Sequence, residues 1–90
     1  MNYLFDTNAI LIYLRDHEKR LWLDENYDPL GKGNTAIISV VVLGDSSRNM
    51  GKNDLWIAAT ASITNSKLIT SDKDFNHLNG KYLDLILIEI

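Results

Sequence analysis

The sequence predicts a small α/β domain: a mainly parallel sheet of about four strands with helices on both faces. Three observations carry the fold class. Short apolar segments alternate with segments whose apolar residues recur at helical spacing, in the order β-α-β-α-β-α-β. The stretch 36–42 is rich in β-branched residues and almost unbroken in its apolarity, which suits a parallel strand covered on both faces. Ninety residues, 46% hydrophobic, supply one core and no second domain, so 1–90 reads as a single unit.

Residues 3–5 form a short apolar first strand, followed by a helix over 8–14 in which Ile10, Leu11, Tyr13 and Leu14 repeat at helical spacing. Asp6, Thr7 and Asn8 supply capping side chains ahead of it. Residues 16–23 prolong that helix or form a second one, with Leu21, Trp22 and Leu23 as its buried end. The segment 26–34, with Pro29, Gly31 and Gly33, reads as a loop before the strand at 36–42. Residues 44–52 are polar and glycine-bounded. A helix over 53–64 follows, with Asn53 as N-cap and Asp54 in its first turn, and its nearly all-round apolarity predicts burial in the middle of the domain. Residues 67–70 form a third strand and 71–78 a helix with Ser71 and Asp74 in capping-box spacing. Residues 83–88 close the chain as a strand.

Composition narrows the chemistry. The absence of cysteine excludes disulfide frameworks, thiolate metal sites and cysteine nucleophiles. The longest apolar runs, 36–43 and 83–90, are far short of the ~18–20 residues of a membrane span. The N-terminal stretch lacks the basic region of a signal peptide, so the expectation is a cytoplasmic protein with no membrane contact. A net charge of −3 argues against binding phosphate backbones through bulk charge. Nucleic acid as a substrate would require something else, such as a metal ion, to neutralise it.

Four aspartates fall where such an ion could act. Asp6 directly follows the first strand, Asp45 the second and Asp72 the third, while Asp54 opens the helix at 53–64. In an open α/β sheet, strand ends and helix N-termini share one rim, where ligands bind. Taken singly, Asp6 and Asp72 read equally well as helix caps, Asp54 as a complement to the helix dipole and Asp45 as a solvated turn residue. Together they form an oxygen-only donor set that selects Mg²⁺ or Mn²⁺. Such an ion supplies hydroxide and neutralises phosphoryl charge, which suits phosphodiester hydrolysis with one acid as general base. His17 and His77 read as surface residues on helices, and Trp22 and Trp56 as core. Arg48, Lys52 and Lys73 flank the acids and are candidate phosphate contacts, or solvated charges.

The motif Phe5-Asp6-Thr7-Asn8-Ala9-Ile10-Leu11 resembles the opening of a PIN domain, the nuclease fold of VapC-type toxins. Ile38-Ser39-Val40-Val41-Val42-Leu43-Gly44-Asp45 resembles its second-strand segment, where the family carries Glu at the place of Asp45. Asn53-Asp54-Leu55-Trp56-Ile57-Ala58-Ala59 and Leu68-Ile69-Thr70-Ser71-Asp72-Lys73-Asp74-Phe75 resemble its third and fourth acidic motifs. The resemblance implies a Mg²⁺- or Mn²⁺-dependent endoribonuclease of a toxin–antitoxin system. Asp6, Asp54 and Asp72 would hold or orient the metal, with Asp45 in place of the Glu, and Asn8, Thr70 and Ser71 would fix the carboxylates. It also implies a homodimer and an antitoxin partner. Asp45 and Asp54 are only nine positions apart, where the family has a longer, largely helical segment. Two expectations follow from that shortening. The second strand would be left exposed, favouring dimerisation or element swapping through it. The alternative function is a catalytically impaired or inactive minimal PIN fragment, natural or engineered, acting only as a folded binding module.

Overall fold

A computed structural model describes residues 1–38, 50–80 and 83–89, with side chains at all of these except 50–55, 77 and 78. Its elements are β1 (Asn2–Phe5), α1 (Thr7–Arg15), α2 (His17–Asn26), β2 (Thr35–Ile38), α3 (Met50–Ile63), β3 (Ser66–Thr70), a 3-10 helix (Lys73–Leu78) and β4 (Asp84–Leu87). The four strands form one all-parallel sheet in the order β2-β1-β3-β4. The predicted α/β class is the observed one.

The two-residue period of the strands divides the core between two faces. Tyr3 and Phe5 of β1, Ile69 of β3 and Ile86 of β4 pack with Ala9, Tyr13 and Leu23 of α1 and α2. Leu4, Leu68 and the half-buried Ile37 and Leu85 point the other way, against Ile57, Ala58 and Ala61 of α3 and against Phe75. Phe5 lies edge-on to Tyr13, with ring centroids 5.4 Å apart. Helices therefore cover both faces, as predicted.

Of the two readings of residues 16–23 the second holds, and several other local expectations are corrected. The first helical stretch is two helices, because Asp16 adopts an extended backbone and its side chain caps α2 by accepting from the Glu18 and Lys19 amides. α3 starts at Met50, so Asn53 is not its N-cap and Asp54 stands in its second turn, while the polar stretch at 44–52 gives its last residues to the helix. α3 is not enclosed: Ile57, Ala58 and Ala61 are buried, but Trp56 is 74% exposed and Ile63 84%. A domain of this size has no second layer to cover a helix's outer face. Trp22 is likewise 41% exposed, so neither tryptophan is core. The last helix is a 3-10 turn capped by Asp72 rather than by Ser71, with Asp72 Oδ1 accepting from the Asp74 amide at 2.9 Å.

β2 occupies an edge of the sheet among the described residues. Thr35 and Ile38 are exposed and Ala36 and Ile37 half-buried, so this part of the strand is not covered on both faces. Residues 39–42, expected to continue it, lie outside the described residues. Among the described residues, no helix is long and apolar enough to cross a membrane.

Candidate active site

The strand order fixes where a site can form. From β1 the chain runs to β2 on one side, and β3 then pairs with β1 on the other. The direction of winding reverses between β1 and β3, and the crevice beyond their C-terminal ends is the ligand position of open α/β sheets. Asp6 is the first residue after β1, and Asp72 the second after β3.

Asp6 is buried and held at both oxygens. As N-cap of α1, its Oδ1 accepts from the Ala9 amide at 2.7 Å, and its Oδ2 accepts a short hydrogen bond from the Thr70 hydroxyl. Its own amide donates to Ile69 O at 3.2 Å, which continues the β1–β3 pairing to the site. The fully buried Thr70 is the link between the two aspartates: its Oγ1 also accepts from the Asp72 amide at 3.1 Å. Asp72 is half-buried and spends Oδ1 on its cap. Burial pushes the Asp6 carboxyl above the ordinary aspartate range; the Thr70 and Ala9 bonds oppose this, and the nearby Asp72 charge adds to it. A cation between the two would relieve both burdens on the ionised pair. All-oxygen carboxylate donors fit a hard divalent ion.

The other predicted residues fall as follows. Asp54 lies in α3. With Ile63 two residues from the start of β3, and at 1.5 Å per helical residue, its backbone stands about 13 Å back along the helix, about level with Thr70 and the same rim. The side chains of Asp54 and Lys52 are not among those described, and Asp45 and Arg48 lie outside the described residues. Lys73, next to Asp72, is exposed. Asn8 is exposed and Ser71 half-buried; among the described residues neither bonds a carboxylate, and both line a depression beside the pair. Among the described residues, no three acidic or histidine side chains converge as a metal site. His17 is exposed, as expected.

That depression, of about 650 Å³, was not foreseen from the sequence. Asn8, Leu11, Ile12 and Arg15 form its wall at i, i+3, i+4 and i+7 on one face of α1, with Asp16, His17, Glu18 and Ser71 completing it. The signal was present as that stripe, but Arg15 in a last turn also reads as an ordinary complement to the helix dipole. A second depression lies at the opposite rim, lined by Asn2, Ser66, Lys67 and Asp84, a strand length away from the aspartates.

In comparison with known families, a model described as PIN domain matches residues 45–81. The match supports a PIN domain. It spans α3, β3 and the 3-10 helix with Asp54, Thr70 and Asp72, while Asp6 lies ahead of it. A PIN domain points to a nuclease-type superfamily and to the use of divalent metal ions. Comparison with curated proteins and with solved structures returned no match.

Proposed function

We propose that the protein is a VapC-type toxin, an endoribonuclease that hydrolyses RNA phosphodiester bonds with Mg²⁺ or Mn²⁺ held at the ends of β1 and β3. The observation that carries this reading is the Asp6–Thr70–Asp72 arrangement, in which a buried, cap-locked carboxylate is hydrogen-bonded to the hydroxyl that fixes the second aspartate. Asp6 and Asp72 would hold the ion, joined by Asp54 from α3, with Asp45 in the place of the family's Glu. The bound ion supplies hydroxide near neutral pH and neutralises charge on the phosphoryl oxygens. The chain's own contribution is positional: the α1 cap and Thr70 keep Asp6 from rotating, and the 3-10 cap leaves Asp72 Oδ2 free of partners among the described residues. Arg48, Lys52 and Lys73 would contact substrate phosphates. The same reading includes a cytoplasmic location, an antitoxin partner and a homodimer formed through the β2 edge or by element swapping, for which the exposed Ile38 is the supporting observation.

The test is cleavage of a labelled single-stranded RNA with Mg²⁺ or Mn²⁺. Wild-type protein cleaves, and Asp6→Asn and Asp72→Asn each lower the rate at least about 100-fold, the scale of losing a group that stabilises transition-state charge. Cleavage unaffected by both substitutions refutes the assignment. The second reading, an impaired PIN fragment retained as a binding module, is favoured by the nine-position separation of Asp45 and Asp54. Metal binding without cleavage identifies it.

A further inference from the structure

We infer that the α1 depression is the substrate groove of this site, and that Arg15 binds a phosphate of single-stranded RNA flanking the one held at the aspartates. The inference rests on the nuclease reading above and adds a place and a residue for the substrate. One end of the depression is Asn8, two residues after the buried cap Asp6, and Ser71, which precedes Asp72. The other end is Arg15, seven residues further along the same helix face and so about 10 Å away. Between them lie Leu11, 39% exposed, and the half-buried Ile12.

This order suits one kind of ligand. A chain of phosphates with one group at the carboxylate end places the sugar and base faces that follow over Leu11 and Ile12. The next phosphates then reach a guanidinium, whose fork of donors matches phosphate oxygens. Arg15 is exposed and has no ion-pair or hydrogen-bond partner among the described residues, so it is not committed to holding the fold. Asp16 and the exposed Glu18 also line this end; Asp16 caps α2, its Oδ1 accepting from the Glu18 and Lys19 amides. Among the described residues, Arg15 is the one lysine or arginine in the lining, and so the group there that can meet a phosphate. Single strands fit and duplexes do not, because the apolar floor needs unpaired base or sugar faces.

The test is fluorescence anisotropy of a labelled single-stranded RNA oligonucleotide in Ca²⁺, its integrity checked on a gel, across a salt series. Arg15→Gln weakens binding about 3- to 10-fold and reduces the salt slope by about 0.7, the single-strand value for one phosphate contact. Arg15→Lys restores most of the affinity. Lys32→Gln, in the loop before β2 and away from the groove, leaves both quantities unchanged. The rise in melting temperature on adding Mn²⁺ is the same in Arg15→Gln as in wild type, showing that the aspartates are undisturbed. Wild-type affinity and slope in Arg15→Gln overturn this inference and leave the nuclease reading standing. Failure of the wild-type protein to bind RNA overturns both.

Discussion

Asp6 caps a helix and carries a buried charge, and two substitutions separate these roles by the size of their effects. Asp6→Ala removes the acceptor for the Ala9 amide, a cap worth about 1 kcal/mol. It also leaves the fully buried Thr70 hydroxyl without its acceptor, at a cost of about 1–3 kcal/mol. Relief of the buried charge offsets part of this, so the net loss is about 2–3 kcal/mol. For a domain of this size that lowers the melting temperature by roughly 8–20 °C. Asp6→Asn keeps an oxygen for Ala9 and removes the charge, but its amide nitrogen cannot accept from the Thr70 hydroxyl, so its melting temperature falls by less than that of Asp6→Ala. The pH dependence carries the sign. A carboxyl whose folded pKa is raised holds its proton to higher pH when folded than when unfolded. Its stabilising contribution is present below the unfolded value and is lost as pH rises through the folded value. Wild type therefore loses ground to Asp6→Asn between about pH 4 and about pH 7, whereas other carboxylates cancel in the comparison. Thermal unfolding followed by circular dichroism at both pH values reads the difference. An Asp6→Asn melting temperature that falls as far as that of Asp6→Ala, or a difference constant with pH, refutes the account of Asp6.

Thr70→Val removes the hydroxyl joining the two aspartates and costs about 1.5–3 kcal/mol by chemical denaturation, because one lost bond is to a charged group; Thr70→Ser retains most of it. Without that bond the Asp6 carboxyl titrates still higher, seen as a steeper loss of stability with rising pH. Burial, with the Asp24 hydrogen bond at 2.6 Å, pushes the Tyr13 phenol up to about 12; ultraviolet titration detects that late ionisation, and Tyr13→Phe abolishes it. Leu68→Ala, at a fully buried position in the middle of the sheet, lowers stability by about 2–5 kcal/mol in the same denaturation assay.

The sheet was legible because parallel strands covered on both faces read as short, nearly unbroken apolar runs. Tyr3, Leu4 and Phe5 divide between the two cores as the two-residue period requires, and so do Leu68 and Ile69. The first and fourth acidic motifs were legible for the same reason: a strand followed by an aspartate places that aspartate on the rim. Exposure was less so. The residues of α3 are apolar nearly all round, but one small sheet covers only the Ile57, Ala58 and Ala61 face, and Trp56 is left outside. Cap positions were uncertain by one residue at 71–74, where Ser71 and Asp72 are both good caps. The Thr70 hydroxyl decides between them by taking the Asp72 amide, a tertiary contact that residue spacing cannot reveal. Arg15 went unmarked because its role depends on what stands seven residues earlier on α1 and on Ser71 at the end of the neighbouring strand β3.

The claim beneath all of this is that Asp6 and Asp72 together hold a divalent cation. Isothermal titration of the full chain with Mn²⁺ tests it most directly. Wild-type protein is expected to bind Mn²⁺ at one site, and Asp6→Asn and Asp72→Asn each to weaken that binding at least about 10-fold, as loss of a ligand or of its support does. Heats of binding the same in wild type and both variants, or no binding to the folded wild-type protein, would contradict it.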